Sequence, residues 1–194
     1  MALVLGLGNP GARYARTRHN AGWRVLERLV GRWGAAPAGE HDTWRAWHAE
    51  REGRPVDLVV PLTFMNLSGS ALEAWRERHG LEPADLLVVV DDVYLPVGML
   101  RLRATGSSGG HRGLESIEQV LGPGFARLRI GVGAAEDAAA WREHVLDECG
   151  GDEDAAVDEA LERAADAVEC WVADGLIAAM NRFNRRIGRE ESES

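Results

Sequence analysis

Short apolar runs alternate with segments of helical spacing along this chain, and that alternation constrains its fold more than any other feature. Runs at residues 2–7, 56–60, 86–90 and 128–132 are rich in Leu and Val and are followed by Gly, Pro or Asp. That is the pattern of strands buried on both faces. Residues 20–33, 66–78 and 111–121 read as helices. In the first, Trp23, Leu26 and Leu29 or Val30 share one face. Residues 43–49 and 99–103 alternate as half-exposed strands do, and residues 31–39 read as loop. Residues 138–186 read as helical, with breaks near 150–151 and at Gly175. Strands alternating with helices predict an α/β fold, a single domain with a twisted, mostly parallel mixed sheet flanked by helices. The domain is expected over residues 1–187, with a disordered polar tail at 188–194.

Composition narrows the chemistry. All 22 basic residues are Arg. The lack of Lys excludes a P-loop lysine, a Schiff-base lysine and a Ser–Lys dyad. No apolar run approaches the ~18–20 residues a membrane span needs. No basic segment precedes the first apolar run, so no signal peptide is expected. Cys149 and Cys170 lack metal-type spacing, which fits reduced thiols in a cytoplasmic protein. The net charge of −9 is unevenly spread: residues 1–133 carry 16 Arg against 14 Asp and Glu, and the remainder 6 against 17. Such asymmetry points to a polyanion partner for the first part. A solvated acidic helix near the C-terminus explains the second part equally well.

Two glycine motifs carry misleading signatures. Gly6-x-Gly8-x-x-Gly11 spells the dinucleotide fingerprint. That fingerprint must open a helix at once, so that pyrophosphate meets the helix N-terminus. Here Asn9-Pro10-Gly11 is turn chemistry, and helical spacing starts only near residue 20. Gly6 and Gly8 are expected instead to let the chain turn tightly and place Asn9. Gly106-Ser107-Ser108-Gly109-Gly110 fits a nucleophile elbow, with Asp137 and His144 as later partners. An elbow needs its strand to run directly into the serine, whereas Ala104, Thr105 and Gly106 intervene. A flexible glycine loop suited to a moving lid is the better reading.

The polar residues that follow the strands are more informative. Asn9 and His19 follow the first, Met65 and Asn66 the second, and Asp91 and Asp92 the third. Ligands of open α/β sheets bind beyond the carboxyl ends of the strands. Parallel neighbours would bring Asn9, His19, Asn66 and Asp91 to one edge. The set holds a base, an acid to orient it and two amides, but no nucleophile, which fits hydrolysis by activated water. Each residue also has a plainer reading. His19 or Asn66 would cap a helix, and Asp91-Asp92 would form a turn.

The blocks GLGNPGARYARTRHNAGW (6–23), PLTFMNLSG (61–69), VVDDVYLPVG (89–98), GSSGGHRGLESI (106–117), FARLRIGVG (125–133) and AMNRF (179–183) resemble, in order, those of bacterial-type peptidyl-tRNA hydrolases. The resemblance implies that His19 is the general base, oriented by Asp91. It implies that Asn9 and Asn66 hold substrate and scissile ester, and that Tyr14 and Met65 line the channel for peptide and terminal adenosine. Arg103 and Arg129 match a basic pair for the terminal phosphate of the tRNA. Arg112 stands where the family often has Asn, and would touch substrate or the acceptor stem. The resemblance implies a monomer that needs no metal or cofactor and takes the acceptor stem and CCA end of peptidyl-tRNA. The alternative is a non-catalytic RNA-binding protein on the same fold.

Overall fold

The structure is a computed structural model that describes residues 1–133 and 152–184. Seven strands form one mixed sheet: β1 (Ala2–Gly6), β2 (Ala36–Glu40), β3 (Trp44–Arg51), β4 (Arg54–Pro61), β5 (Leu86–Asp92), β6 (Leu100–Arg103) and β7 (Ala126–Gly131). Their order across the sheet is β2-β3-β4-β1-β5-β7-β6. The four central strands run parallel, and β2, β3 and β6 are antiparallel additions at the flanks. The helices are α1 (Ala21–Trp33), α2 (Ser68–His79), α3 (Arg112–Leu121), α4 (Asp152–Asp174) and α5 (Leu176–Phe183). The α/β class and the mostly parallel sheet are as expected. The segment 134–151, with Cys149, Asp137 and His144, and the tail after residue 187 lie outside the described residues.

The sheet divides the core in two. Val4, Val56, Leu58, Leu87, Val89, Leu128 and Ile130 face α1, α4 and α5. Leu3, Leu5, Val59, Leu86, Val88 and Val90 face α2 and α3 with Trp44 and Trp75. Alternation along each central strand therefore feeds both layers, as a sheet covered on two faces requires.

Residues 31–39 are not all loop, because β2 occupies their second half. It went unread because all five of its residues are exposed. It pairs only with β3, with a bulge between Pro37 and Gly39. An edge strand with proline and a bulge has no apolar period to detect.

The glycines of the first motif serve close approach more than turning. A Cβ on Gly6 would sit 2.5 Å from the Gly22 carbonyl oxygen, and one on Gly8 2.5 Å from Trp23 Cδ1. A Cβ on Gly22 would meet Val89 O at 2.3 Å and Leu7 N at 2.4 Å. The first turn of α1 thus rests on the backbones of β1 and β5. Gly22→Ala forces α1 off the sheet, and we expect it to lower unfolding free energy by about 1–3 kcal/mol in a denaturant titration.

The charge split has a structural counterpart. Arg24, Arg28 and Arg32 of α1 pair with Asp158, Glu162 and Asp166 of α4 at 2.5–2.9 Å. Exposed pairs of this kind contribute about 0–1 kcal/mol each. Their larger consequence is for function: these three cations face acidic side chains and not a polyanion.

Candidate active site

His19 lies in a 3-10 turn, Arg18–Asn20, between β1 and α1, and Asp91 is near the end of β5. Because β5 is the neighbour of β1, the chain leaving β1 returns over the end of β5. His19 Nδ1 then lies 2.8 and 3.0 Å from the two Asp91 oxygens. A carboxylate only accepts, so the ring proton resides on Nδ1. The Nε2 lone pair has no hydrogen-bond partner among the described residues. His19 caps no helix, and Asp91 belongs to a strand and not to a turn.

A third member of this cluster escaped the sequence reading. His111 Nε2 is 3.1 Å from Asp91 Oδ1. Its Nδ1 accepts from the backbone N–H groups of Gly113 and Leu114 at 3.2 and 3.3 Å, capping α3. An accepting Nδ1 places the proton on Nε2, so His111 donates to Asp91. Two imidazole N–H groups thus converge on one carboxylate that is 2% exposed. His19, Asp91 and His111 are the one trio among the described residues close enough to share a metal ion. Their protons, however, face the carboxylate where a metal would need lone pairs.

Charge tunes the cluster. Burial pushes the His19 imidazolium down, but the Asp91 carboxylate outweighs it by charge and hydrogen bond, and Arg112 pulls weakly the other way. The net result is a pKa above that of an ordinary imidazole. Burial raises the Asp91 carboxyl, but the two imidazoles beside it hold it well below the usual carboxylate range.

Asn9 is 6% exposed. Its Oδ1 accepts from Met65 N–H at 2.9 Å, which fixes the orientation of the amide. Its Nδ2 donates to no described residue. Asn20, adjacent to His19, anchors Asn9 through both backbone groups: Asn9 N–H donates to Asn20 Oδ1 at 2.8 Å, and Asn20 Nδ2 donates to Asn9 O at 3.0 Å. Asn20 therefore locks the Asn9 turn to the His19 turn, a role that spacing alone did not reveal.

The remaining expected residues are placed unevenly. Asn66 is exposed in a 3-10 turn, Met65–Leu67, and caps no helix. Met65 is 4% exposed and packs in the core beneath that turn. Tyr14 is half-buried, with Arg13 over its ring. Arg112 is exposed at the start of α3. Arg129 binds Asp92 at 3.1 Å and the carbonyls of Ser107 and Ser108 at 2.7 and 3.0 Å. Arg103 is exposed on β6, but the register sets Arg101, not Arg103, opposite Arg129. Arg103 faces Arg127, which is fully buried and donates to Gly106 O at 2.6 Å. The glycine loop is therefore tied at three carbonyls, against its expected character as a moving lid. Among the described residues Ser108 Oγ meets only the Gly110 N–H, at 3.4 Å, and carries no imidazole.

His19, Asp91 and His111 border a cleft of about 20 Å³, room for one water molecule, with Tyr94, Gly109, Gly110 and Arg129. A hydrogen-bonded base facing such a cleft, with no serine or cysteine on it among the described residues, is equipped for hydrolysis by water.

Comparison with known proteins identifies the family and the fold. The chain matches the family model described as peptidyl-tRNA hydrolase over residues 3–192. It is 47% identical to a peptidyl-tRNA hydrolase of Symbiobacterium thermophilum, over 94% of this chain and 98% of that one. It is 46% identical to one of Chloroflexus aggregans, over 95% and 99%. The crystal structure of peptidyl-tRNA hydrolase from Acinetobacter baumannii superposes with a TM-score of 0.90 at 34% identity, covering 95% of this chain and 94% of that one. In sequence, in fold and over nearly its whole length, the chain belongs to the peptidyl-tRNA hydrolase family.

Proposed function

We propose that this chain hydrolyses the ester joining peptide to tRNA in peptidyl-tRNA, with His19 as general base toward water. One observation carries the reading: the proton of His19 is held on Nδ1 by Asp91, which leaves the Nε2 lone pair without a partner among the described residues, on a ring that borders the cleft. Nε2 takes a proton from water as the oxygen attacks the ester carbonyl, Asp91 stabilises the imidazolium that forms, and the imidazolium returns the proton to the ribose oxygen as the bond from carbonyl carbon to that oxygen breaks. His111, donating to the same carboxylate, holds Asp91 in place. The unpaired Asn9 Nδ2 is a donor for the substrate carbonyl as it gains charge. Met65, Asn66 and Tyr14 serve the peptide and terminal adenosine, Arg112 the substrate beside His19, and Arg103 and Arg129 the terminal phosphate of the acceptor stem. Among the described residues no helix is long and apolar enough to cross a membrane. The enzyme works as a cytoplasmic monomer on the CCA end of its substrate, without a cofactor.

The test is release of labelled N-acetyl-aminoacyl groups from tRNA, with unacetylated aminoacyl-tRNA as the control. Only the acetylated substrate is expected to be cleaved. Its neutral amide suits a site that hydrogen-bonds it, and the charged amine of the control does not. Binding of tRNA without cleavage would overturn the hydrolase reading in favour of an RNA-binding role.

Arg112 gives a second check. Its positive charge lowers the affinity of His19 for a proton. Arg112→Asn removes that effect, so the acidic limb of the pH–kcat profile moves to higher pH. A limb that stays in place would show that Arg112 does not act on His19.

A further inference from the structure

Tyr94 follows Asp91 by three residues and is 75% exposed, though it lines the same cleft as His19, Gly109, Gly110 and Arg129. Its ring and hydroxyl make no hydrogen bond or ring contact with any described residue, so the fold gains nothing from it. The turn beneath it is nevertheless firmly held. Tyr94 N–H donates to Asp92 Oδ1 at 2.8 Å, and Asp92 Oδ2 accepts from Arg129 at 3.1 Å. Asp92 O accepts from Val132 N–H at 3.2 Å, and the next residue, Leu95, is 3% exposed. An aromatic ring is thus presented to solvent on a clamped turn, one residue link from a guanidinium.

The strand order tells what that ring faces. His19 sits above β1 and β5. On the β4 side of it, the turn after β4 exposes two large apolar side chains, Phe64 at 53% and Leu67 at 48%. On the β7 and β6 side the rim is cationic: Arg129 lies on β7, and Arg101 and Arg103 lie exposed on the same face of β6. A substrate that joins a peptide to a polyanion through one ester has a favourable direction across His19, with peptide and terminal adenosine toward β4 and the preceding nucleotides toward β7. Tyr94 stands on the nucleotide side. Aromatic rings beside cations are what single-stranded nucleic acid recognises, by stacking bases on the ring while the cations meet the phosphates.

We propose that Tyr94 is a stacking platform for a base in the single-stranded 3′ end of the tRNA, set between the reacting ester and the arginines of β6 and β7. The assignment rests on the substrate reading above and adds a subsite to it. The ring needs only its face, so Tyr94→Phe should behave as wild type.

The experiment uses the full chain and deacylated tRNA carrying fluorescent 2-aminopurine in place of the base that precedes the terminal adenine, with KM and kcat measured on N-acetyl-aminoacyl-tRNA alongside. Wild type and Tyr94→Phe are expected to quench the probe on binding. Tyr94→Ala is expected to lose the quench and to weaken probe binding and raise KM by about 5- to 100-fold, the loss of one stacked base. Its kcat should be unchanged. At 75% exposure the substitution leaves the fold intact. Undiminished quench and affinity in Tyr94→Ala would overturn the proposal. So would a KM effect that varies with the acyl group while the deacylated probe binds normally, since that places Tyr94 on the peptide. A wild-type protein that binds and quenches the probe without cleaving ester would support the platform and overturn the hydrolase reading instead.

Discussion

His19→Ala is expected to lower kcat on N-acetyl-aminoacyl-tRNA by about 10²- to 10⁴-fold, the range for loss of a positioned general base. KM should change little, because the base touches the attacking water more than the bound substrate. Stability also falls, since the buried Asp91 carboxylate loses one of its two imidazole donors. The His111 donor remains, so the variant should still fold. His19→Asn separates the two effects. Its amide can still donate to Asp91 but has no basic nitrogen, so thermal stability recovers in part while the rate does not. A wild-type rate in either variant would remove His19 from the chemistry.

Asp91→Asn should cost nearly as much, for a different reason. Both imidazoles present N–H to Asp91, and an amide has one accepting oxygen and an NH₂ that cannot accept. Asp91 Oδ1 takes both imidazoles and Oδ2 only His19, so an NH₂ at the Oδ2 position opposes the His19 N–H and favours that ring turning over or changing tautomer. If His19 does so, its proton moves to Nε2 and the lone pair leaves the cleft. We expect kcat to drop by about 10²- to 10⁴-fold. The residual activity carries a further signature. Asp91 is what raises the His19 pKa. Wild-type activity, which needs neutral His19, should therefore rise with pH through a midpoint above 6.5. Without the carboxylate the proton is lost more easily, so the acidic limb of Asp91→Asn should move to lower pH. A limb that shifts upward, or a rate near wild type, would argue against Asp91 acting through His19.

Asn9 and Asp91 were legible because they closely follow or end strands whose burial on both faces makes them visible as apolar runs, and His19 because it lies in the connection that leaves the first of these. Parallel pairing then brings the ends of β4, β1 and β5 to one edge. His111 was not legible. Its partner is 20 residues away in sequence, and its imidazole does double duty as a helix cap, for which no pattern exists. Asn20 was hidden for a similar reason, since its side chain bonds the backbone of Asn9 eleven positions earlier. Arg103 and Arg129 were named together by resemblance, and the register sets Arg101, two residues from Arg103, across from Arg129. A two-residue period tells which face an arginine occupies, but not which residue lies across from it.

The amino-acid sequence by itself determined the α/β class, the central strands and the residues at their ends, because these depend on local periodicity and on burial that every strand expresses in its own composition. It also determined that no lysine chemistry is available. Only the tertiary structure decided which charges are left for a ligand. Arg24, Arg28 and Arg32 are matched by α4 and Arg127 is buried under the glycine loop, whereas Arg101 and Arg103 stay exposed. It decided, too, that two histidines share one aspartate and that Tyr94 stands bare beside them. Such facts belong to pairs of residues far apart in the chain, and distance through space is set by the order of strands in the sheet.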